Sequence, residues 1–339
     1  MRIFVYEHIT AHGLARDPGS PKHSLFVEGR AMFHAIRDDF AAIPGVEVLT
    51  GTPEEFPRLA ASADWSFVIA PETDGVLLKL ASEVERVGGR LLGPSPAAIA
   101  LTSDKFALYQ HWQRRGVPTP ATVLVPDPPP GWPCVVKRRD GAGSEGMKLV
   151  ESAAEYRTLS GSIIAQPFCA GTPASIVFLV GGSESIPLPA TFQCISADGQ
   201  FRYGGGLIPI SPALQVRAEM LALRALEQIP GLLGYVGVDL LLGEAADGTE
   251  DSAIEINPRL TTSYVGVRAS QEVNLAEMML DLASRRREPT ESGSEQRLRR
   301  LPPPARRVAF SASGNIRVDP YYDFWADPSE FSQNRTFFS

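Results

Sequence analysis

The sequence predicts a protein that combines an α/β part with an α+β part. From residue 1 to about residue 100, strand-like and helical segments alternate, which is typical of a small parallel sheet with helices on its faces. From Pro118 onward, short strands separated by turn-rich stretches dominate, which indicates an antiparallel or mixed α+β module. With 339 residues the chain is long enough for two or three domains.

The N-terminal part is predicted to alternate three strands with two helices. Strand-like runs occupy residues 3–6, 46–49 and 65–69. Apolar residues recur at helical spacing over residues 24–40 and again over residues 77–87. A third helix follows, for which we expect Ser103 as the N-cap, Lys105 in the first turn and Gly116 just past the end. A later helix is expected over residues 215–228.

A glycine-rich segment lies between strand-like runs at residues 134–136 and 147–150. Its letters, Gly141-Ala142-Gly143-Ser144-Glu145-Gly146, match the GxGxxG pattern of dinucleotide-binding folds. That pattern requires a helix that begins at the last glycine, and no helical periodicity starts here, which argues against a dehydrogenase. The segment is instead predicted to be a hairpin tip that covers a phosphate as a flap.

Two apolar strands, expected near residues 236–242 and 253–259, carry the strongest chemical signal. Asp239 lies in the middle of the first, and alternation places Glu255, Asn257 and Arg259 on one face of the second. A hairpin would set Asp239 beside Glu255. Two carboxylates and an amide oxygen without a histidine suit Mg²⁺, which also takes phosphate oxygens. An ordinary strand pair with exposed acids is the alternative, and the cost of an unsatisfied Asp in an apolar strand disfavours it.

Two lysines could complete a phosphate site. Lys137 ends the strand before the glycine-rich segment, and Lys105 lies in the first turn of the third helix. Either lysine alone is more often a surface residue. Together with a flap and a metal site they form the set that ATP needs, because its phosphates require cations, a cover and a bridging metal.

The order of these features resembles the ATP-grasp superfamily over roughly residues 1–285. The resemblance implies an ATP-grasp fold preceded by a parallel-sheet, pre-ATP-grasp domain. It divides the chain into an N-terminal substrate domain (1–100), a central lid subdomain with its lead-in helix (101–165), a C-terminal subdomain with the metal strands (166–285), and a linker with a C-terminal tail (286–339). The matching positions are Lys105, Lys137, the flap at 140–146, the hinge segment at 163–168, Asp239 and residues 255–259.

The resemblance also implies roles for these residues. Lys105 and Lys137 would bind the phosphates of ATP, and the flap residues Gly141, Gly143, Ser144 and Gly146 would cover them. The hinge backbone of Gln166, Pro167 and Phe168 would bind the adenine. Asp239, Glu255 and Asn257 would hold Mg²⁺, for which Mn²⁺ can substitute. Arg259 and Lys137 are the expected catalytic residues.

The superfamily further implies carboxylate–amine ligation, in which a carboxylate is phosphorylated to an acylphosphate and an amine then displaces phosphate. Residues 70–75, 203–206 and 257–266 resemble the branch that contains the tyramine–glutamate ligases of methanofuran-type cofactor synthesis. The expected substrates are therefore L-glutamate and tyramine or a similar primary amine. The sequence departs from this pattern at His8 and His12 after the first strand, and at Pro173, where many members place an acid for the ribose.

Several further residues are candidates for substrate binding. Glu7 and Glu72 each follow a strand of the first sheet, where ligands of open α/β sheets gather, and could receive the amine. They could equally be capping or loop acids. Hydroxyl and backbone N–H groups at Thr261, Thr262 and Ser263 could bind an anion. Tyr203 could contact substrate, although a buried structural role is equally consistent with its sequence.

Two other functions remain open at this point, another amino-acid or dipeptide-type ligase and a non-catalytic ATP-binding sensor or assembly subunit. The net charge of −7 argues against a nucleic-acid partner. No apolar run approaches the roughly 20 residues that span a bilayer, so no membrane partner is expected. Three cysteines without CxxC spacing fit a reducing cytoplasm. The expected partners are small-molecule substrates, and a homodimer is the assembly considered.

Overall fold

A computed structural model of the chain describes residues 1–20, 23–141, 146–182, 184–285 and 297–319. Its N-terminal part is a parallel sheet in the order β2-β1-β3, as predicted, with β1 between its two neighbours. The strands are β1 (Arg2–Glu7), β2 (Glu47–Leu49) and β3 (Trp65–Ile69). The helices of this part are α1 (His8–Ala11), α2 (His23–Ala41), α3 (Phe56–Ser62), α4 (Val76–Arg86) and α5 (Pro96–Ser103), of which the short α1, α3 and α5 were not predicted.

Alternation along β1 explains why both faces of this sheet are covered. Phe4 and Tyr6 pack with α3 and α4 on one face, whereas Ile3 and Val5 pack with α2 on the other. The second of these clusters continues into the C-terminal domain, where it includes Tyr264. The carboxyl ends of β1 and β3 are therefore held next to the C-terminal domain.

The central part is a four-stranded antiparallel sheet in the order β4-β7-β5-β6. Its elements are α6 (Lys105–Arg114), β4 (Val123–Leu124), β5 (Cys134–Arg138), β6 (Lys148–Val150), α7 (Ala153–Tyr156) and β7 (Ile163–Pro167). The predicted hairpin is confirmed as the β5–β6 pair. Two details of the prediction are wrong. The N-cap of α6 is Asp104, whose carboxylate accepts from two backbone N–H groups of the first turn, and Lys137 lies within β5 rather than at its end.

The C-terminal part is a nine-stranded sheet whose main path is β13-β12-β8-β10-β11-β15-β16, with β9 joining β8 to β14. Its strands are β8 (Thr172–Gly181), β9 (Glu184–Pro187), β10 (Thr191–Ile195), β11 (Tyr203–Ile208), β12 (Gly234–Leu242), β13 (Ser252–Asn257), β14 (Arg297–Leu298), β15 (Arg307–Ser311) and β16 (Ile316–Asp319). Its helices are α8 (Pro212–Leu226), α9 (Ser263–Ser270) and α10 (Leu275–Ser284). Among the helices of the described residues, none has the length and apolarity to cross a membrane.

The segment that the sequence assigns to a linker and tail contributes strands to this sheet. β15 pairs antiparallel with β11, and β16 pairs with β15. Val308 and Phe310 of β15 are fully buried. The burial of these apolar side chains explains why the segment forms strands of the sheet rather than the predicted tail. Residues 297–319 therefore belong to the C-terminal domain.

Candidate active site

The strands β12 and β13 pair antiparallel with Asp239 directly opposite Glu255, so the predicted hairpin register is confirmed. Two amides hold the Asp239 carboxylate in place. Gln193 Nε2 donates to Oδ1 at 2.9 Å, and Asn257 Nδ2 donates to Oδ2 at 3.0 Å. Because Asn257 uses its nitrogen for this bond, its side-chain oxygen stays available as a ligand.

The two predicted lysines lie against these acids. Lys105 Nζ is 3.3 Å from Glu255 Oε2 and also donates to the backbone oxygen of Gly141. Lys137 is 4% exposed, and burial lowers its pKa to about 8. Burial would raise the pKa of Glu255, but Lys105 and Lys137 hold it below its usual range. Burial and the neighbouring Glu255 raise the pKa of Asp239 to about 7.

This donor set fits a hard divalent cation. Asp239, Glu255 and Asn257 offer carboxylate and amide oxygens from adjacent strands, which is the ligand chemistry of Mg²⁺. The described residues hold no group of three or more His, Cys, Asp or Glu side chains that could bind a metal, and the third ligand here would be the amide oxygen of Asn257. Burial first, and then repulsion from Glu255, raise the pKa of Asp239, and a divalent cation bound by these acids would favour their charged forms.

A cavity of about 670 Å³ opens over the hairpin, between the N-terminal domain and the C-terminal sheet. Toward the end of β12 it is lined by apolar residues, Met147, Pro173, Leu241 and Ile254. Toward the middle of β12, near Gly237, it reaches the N-terminal domain, where its lining includes Glu7, Ile9, Leu25, Glu28, Met32 and Ile69. Lys137, Asp239, Glu255 and Asn257 lie between these two regions along the strand.

Arg259 is placed at the N-terminal side of this cavity. Its Nε is 2.9 Å from Glu72 Oε1, with both side chains largely buried. Although burial disfavours the charged guanidinium, the Glu72 carboxylate raises the pKa of Arg259. Arg259 lines the cavity, whereas its ion-pair partner Glu72 does not.

The candidate substrate residues divide into two groups. Thr261, Thr262, Ser263 and Tyr203 line the cavity, and the Thr261 and Ser263 hydroxyls bond each other at 2.7 Å. Glu7 also lines the cavity, but its carboxylate caps α1 by accepting from the N–H groups of Ile9 and Thr10. This is the capping role that the sequence left open for Glu7. The burial of its carboxylate raises its pKa.

The predicted adenine hinge, residues 166–168, does not line the cavity. Gln166 donates its side-chain amide to Thr122 Oγ1, and Phe168 is 47% exposed. Neither these residues nor Pro167 line the cavity. In the flap, Gly141 contacts Lys105, and Gly146 has a left-handed φ of +72° that favours glycine. Gly143 and Ser144 lie outside the described residues.

Sequence reasoning missed Glu28 and Gln193. Glu28 lies three residues after Leu25 and four before Met32, so these three residues share one helical face. An acid within an apolar stripe was the signal available in the sequence. Gln193 gave no such signal, because its role depends on the pairing of β10 with β8, which itself pairs with β12.

Two family descriptions match this chain. Residues 36–99 match the pre ATP-grasp 3 domain, and residues 102–263 match the ATP-grasp domain. The chain belongs to the ATP-grasp superfamily. The ATP-grasp region contains Lys105, Lys137, Asp239, Glu255 and Arg259, whereas the cavity acids Glu7 and Glu28 precede it.

Similar ATP-grasp proteins include enzymes and solved structures. The chain is 30% identical to the tyramine–L-glutamate ligases of Methanocaldococcus fervens and Methanocaldococcus jannaschii over 65% of its length. The match spans 66% and 63% of those relatives. A D-alanine–D-alanine ligase of Desulfovibrio desulfuricans is 26% identical over 76% of this chain and 90% of its own.

Solved structures support the ATP-grasp fold. An ATP-grasp superfamily protein from Archaeoglobus fulgidus superposes with a TM-score of 0.67 and 26% identity, covering 84% of this chain and 90% of that one. A D-alanine–D-alanine ligase from Bacillus anthracis complexed with ATP gives a TM-score of 0.60 at 17% identity, covering 83% and 97%, and this likeness concerns the fold alone.

Proposed function

We propose that this ATP-grasp protein is an ATP-dependent ligase that joins a carboxylate to an amine through an acylphosphate. The observation that carries the proposal is the juxtaposition of Lys137, Asp239, Glu255 and Arg259 along one cavity, with Lys105 paired to Glu255. The carboxylate oxygen attacks the γ-phosphorus of ATP, and the bond to ADP breaks. The amine nitrogen then attacks the acyl carbon, and phosphate leaves as the amide forms.

The charged residues supply the binding of ATP. In the absence of nucleotide, Lys105 and Lys137 compensate Glu255. Mg²⁺ held by Asp239, Glu255 and Asn257, or Mn²⁺ in its place, would neutralise phosphate oxygens. With the acids bound to the metal ion, Lys105 and Lys137 would be free to bind the phosphates of ATP. The flap would then cover these phosphates. The adenine would lie at the apolar end of the cavity, near Met147 and Ile254. The hinge backbone of 166–168 stays a predicted adenine contact, although these residues do not line the cavity.

Arg259 would bind the group that is transferred or the carboxylate that receives it. Its guanidinium is always charged and offers several donors, of which only some are used by Glu72 and the backbone oxygen of Leu260. The hydroxyls of Thr261 and Thr262 lie next along the chain and line the same part of the cavity. This arrangement favours an anionic carboxylate at the N-terminal side of the metal strands.

The proposed substrates are L-glutamate and tyramine or a similar primary amine. The similarity to two tyramine–L-glutamate ligases supports this pair. Another dipeptide-type ligation is the alternative, which the similarity to D-alanine–D-alanine ligases favours. A homodimer and a cytoplasmic location stay predictions, and sedimentation velocity would measure the first.

The test is to incubate the purified protein with Mg-ATP and L-glutamate and to measure ADP release with a panel of amines that includes tyramine. Amine-dependent ADP release with an amide of matching mass is the expected result. An Asp239→Asn variant serves as the control for metal-dependent turnover. ADP release that no pair of carboxylate and amine stimulates, and that Asp239→Asn leaves unchanged, would contradict ligation and favour a sensor.

A further inference from the structure

Glu28 is a carboxylate of the cavity that the proposed roles leave unused. It projects from α2 on the face that also carries Leu25 and Met32, and all three residues line the cavity. Its Oε2 accepts from Thr262 Oγ1 at 3.3 Å. Thr262 precedes α9 on the opposite wall, so Glu28 faces the segment that follows the metal strands.

The other charged and titratable groups around Glu28 already have bonding partners, and Glu28 differs from these groups in that respect. Arg259 pairs with Glu72 at 2.9 Å. The Glu7 carboxylate accepts from two backbone N–H groups and the Thr10 hydroxyl. The buried Tyr203 keeps its proton, because burial and nearby acids, Glu28 among them, raise its pKa. Among the described residues, the Glu28 carboxylate accepts a single hydrogen bond, the long one from Thr262.

The surroundings of Glu28 match an amine with an apolar body. Ile9, Leu25, Met32 and Ile69 line the same part of the cavity, and apolar surface buried there contributes about 25 cal/mol per Å². Burial raises the pKa of Glu28 to about 7, although Thr262 and Arg259 oppose the shift. A carboxylate with this pKa can both pair with an ammonium group and take up its proton near neutral pH.

We propose that Glu28 binds the ammonium group of the amine substrate and accepts the proton that the nitrogen must lose before it attacks, an inference that rests on the proposed ligase function. The proton passes from nitrogen to the Glu28 carboxylate. The freed electron pair forms the C–N bond at the acyl carbon, and the C–O bond to phosphate breaks, with phosphate taking the electron pair of that C–O bond. A second proton passes from the nitrogen to the leaving phosphate, so that a neutral amide remains. Glu28 afterwards returns its proton to solvent.

The experiment compares wild type with Glu28→Gln in two reactions with Mg-ATP and L-glutamate. In the first the nucleophile is tyramine, which is protonated at neutral pH. In the second it is hydroxylamine, which is largely unprotonated there and traps the acylphosphate as a hydroxamate. We expect Glu28→Gln to lower kcat/KM for tyramine by about 10²-fold or more. Hydroxamate formation and the KM for ATP should change by no more than about twofold.

Two further variants sharpen the comparison. Glu28→Asp keeps a carboxylate and should recover part of the tyramine reaction. Glu85→Gln changes an exposed glutamate of α4 away from the cavity and should match wild type in both reactions. The dependence of kcat/KM for tyramine on pH should lose its rise near pH 7 in Glu28→Gln and keep it in Glu85→Gln.

The outcomes separate this inference from the proposed function. If wild type forms neither hydroxamate nor amide, the ligase proposal fails. If wild type forms both and Glu28→Gln retains the tyramine reaction, the role of Glu28 is overturned while ligation stands. An equal loss of both reactions in Glu28→Gln would also overturn it, because that pattern indicates a structural role.

Discussion

Lys137 shows how a single buried side chain can serve both the empty and the nucleotide-bound site. It is 4% exposed, and Glu255 and Asp239 favour its charged form against the cost of burial. A buried ammonium group without compensation is costly, so the acids that hold the metal also keep this lysine inside the site. With a metal ion bound to these acids, as proposed, ATP phosphates would become the partner of Lys137 in their place.

Lys137→Ala should lower turnover at saturating Mg-ATP by about 10²–10³-fold, because it removes a preorganised cation from the phosphate site. Steady-state ADP release measures this. Lys148→Ala is the matched control, since Lys148 lies on the neighbouring strand β6 of the same hairpin and pairs with Glu155 at the surface. Near wild-type turnover in Lys137→Ala would exclude the phosphate role.

Glu28 should also make the stability of the protein depend on pH. Its pKa in the folded protein, about 7, exceeds the usual value of 4.5. The folded state therefore holds this proton more tightly, and the stabilisation is present at low pH and lost as the pH rises through about 7. Because Gln does not titrate, Glu28→Gln should gain unfolding free energy relative to wild type between pH 5 and pH 8, by up to about 3 kcal/mol.

Denaturant unfolding of both proteins at pH 5 and pH 8 measures this difference. Glu85→Gln, whose glutamate is exposed, should show no such change. A constant difference between Glu28→Gln and wild type at the two pH values would show that Glu28 titrates as an ordinary exposed glutamate.

Elements with a long periodic sequence pattern were predicted well. Strands that depend on pairing with a partner strand were not. The hairpin of β12 and β13 follows from two apolar strands joined by a turn-rich stretch, so the position of Asp239 beside Glu255 could be predicted, whereas the register shift between Asp239 and Leu240 could not. β15 is a five-residue strand after a Pro-rich stretch, and its local sequence does not distinguish it from a tail. Its pairing with β11 depends on contacts distant in sequence.

The packing of β15 against α9 can be tested at Gly266. A Cβ atom added at Gly266 would lie 2.1 Å from the ring of Phe310, so the helix and the strand approach closely because this residue is glycine. Gly266→Ala should reduce the free energy of unfolding by about 1–3 kcal/mol through overpacking. Denaturant unfolding measures the loss.

A second substitution distinguishes this collision from a general effect on the helix. Phe310→Leu removes the ring, so in its background Gly266→Ala should cost less than it does alone, giving a coupling free energy of at least about 0.5 kcal/mol. Strictly additive losses would mean that β15 does not rest on Gly266.

For the whole molecule, the limit of sequence reasoning was the docking of the domains. Residues that share a strand pair, such as Asp239, Glu255 and Asn257, could be assigned to one site from spacing. Glu28 could not, because it reaches the site only when α2 lies beside the segment that contains Thr262. The position of the hinge segment relative to the cavity could not be predicted either, because it depends on how the three sheets are arranged.

A buried network at Asp39 holds the N-terminal domain against the C-terminal domain. Its Oδ2 accepts from Tyr264 Oη at 2.5 Å and from Arg268 Nε at 2.8 Å, both on α9. Asn274 Nδ2 donates to the backbone oxygen of Asp39 at 2.8 Å. Because α2 carries both Asp39 and Glu28, this network also ties the helix that lines the cavity to the C-terminal domain.

Asp39→Ala should therefore impair stability and activity together. Loss of the carboxylate leaves the buried Tyr264 hydroxyl and the Arg268 guanidinium without their partner, which should cost about 2 kcal/mol or more of unfolding free energy. The KM for amine should rise more than the KM for ATP, because the wall formed by α2 contacts the substrate end of the cavity.

Asp38→Ala is the control, since Asp38 is 57% exposed and its pair with Arg37 should contribute less than about 1 kcal/mol. If both variants lose the same small amount of stability and keep equal KM values, the domains are held by apolar packing alone.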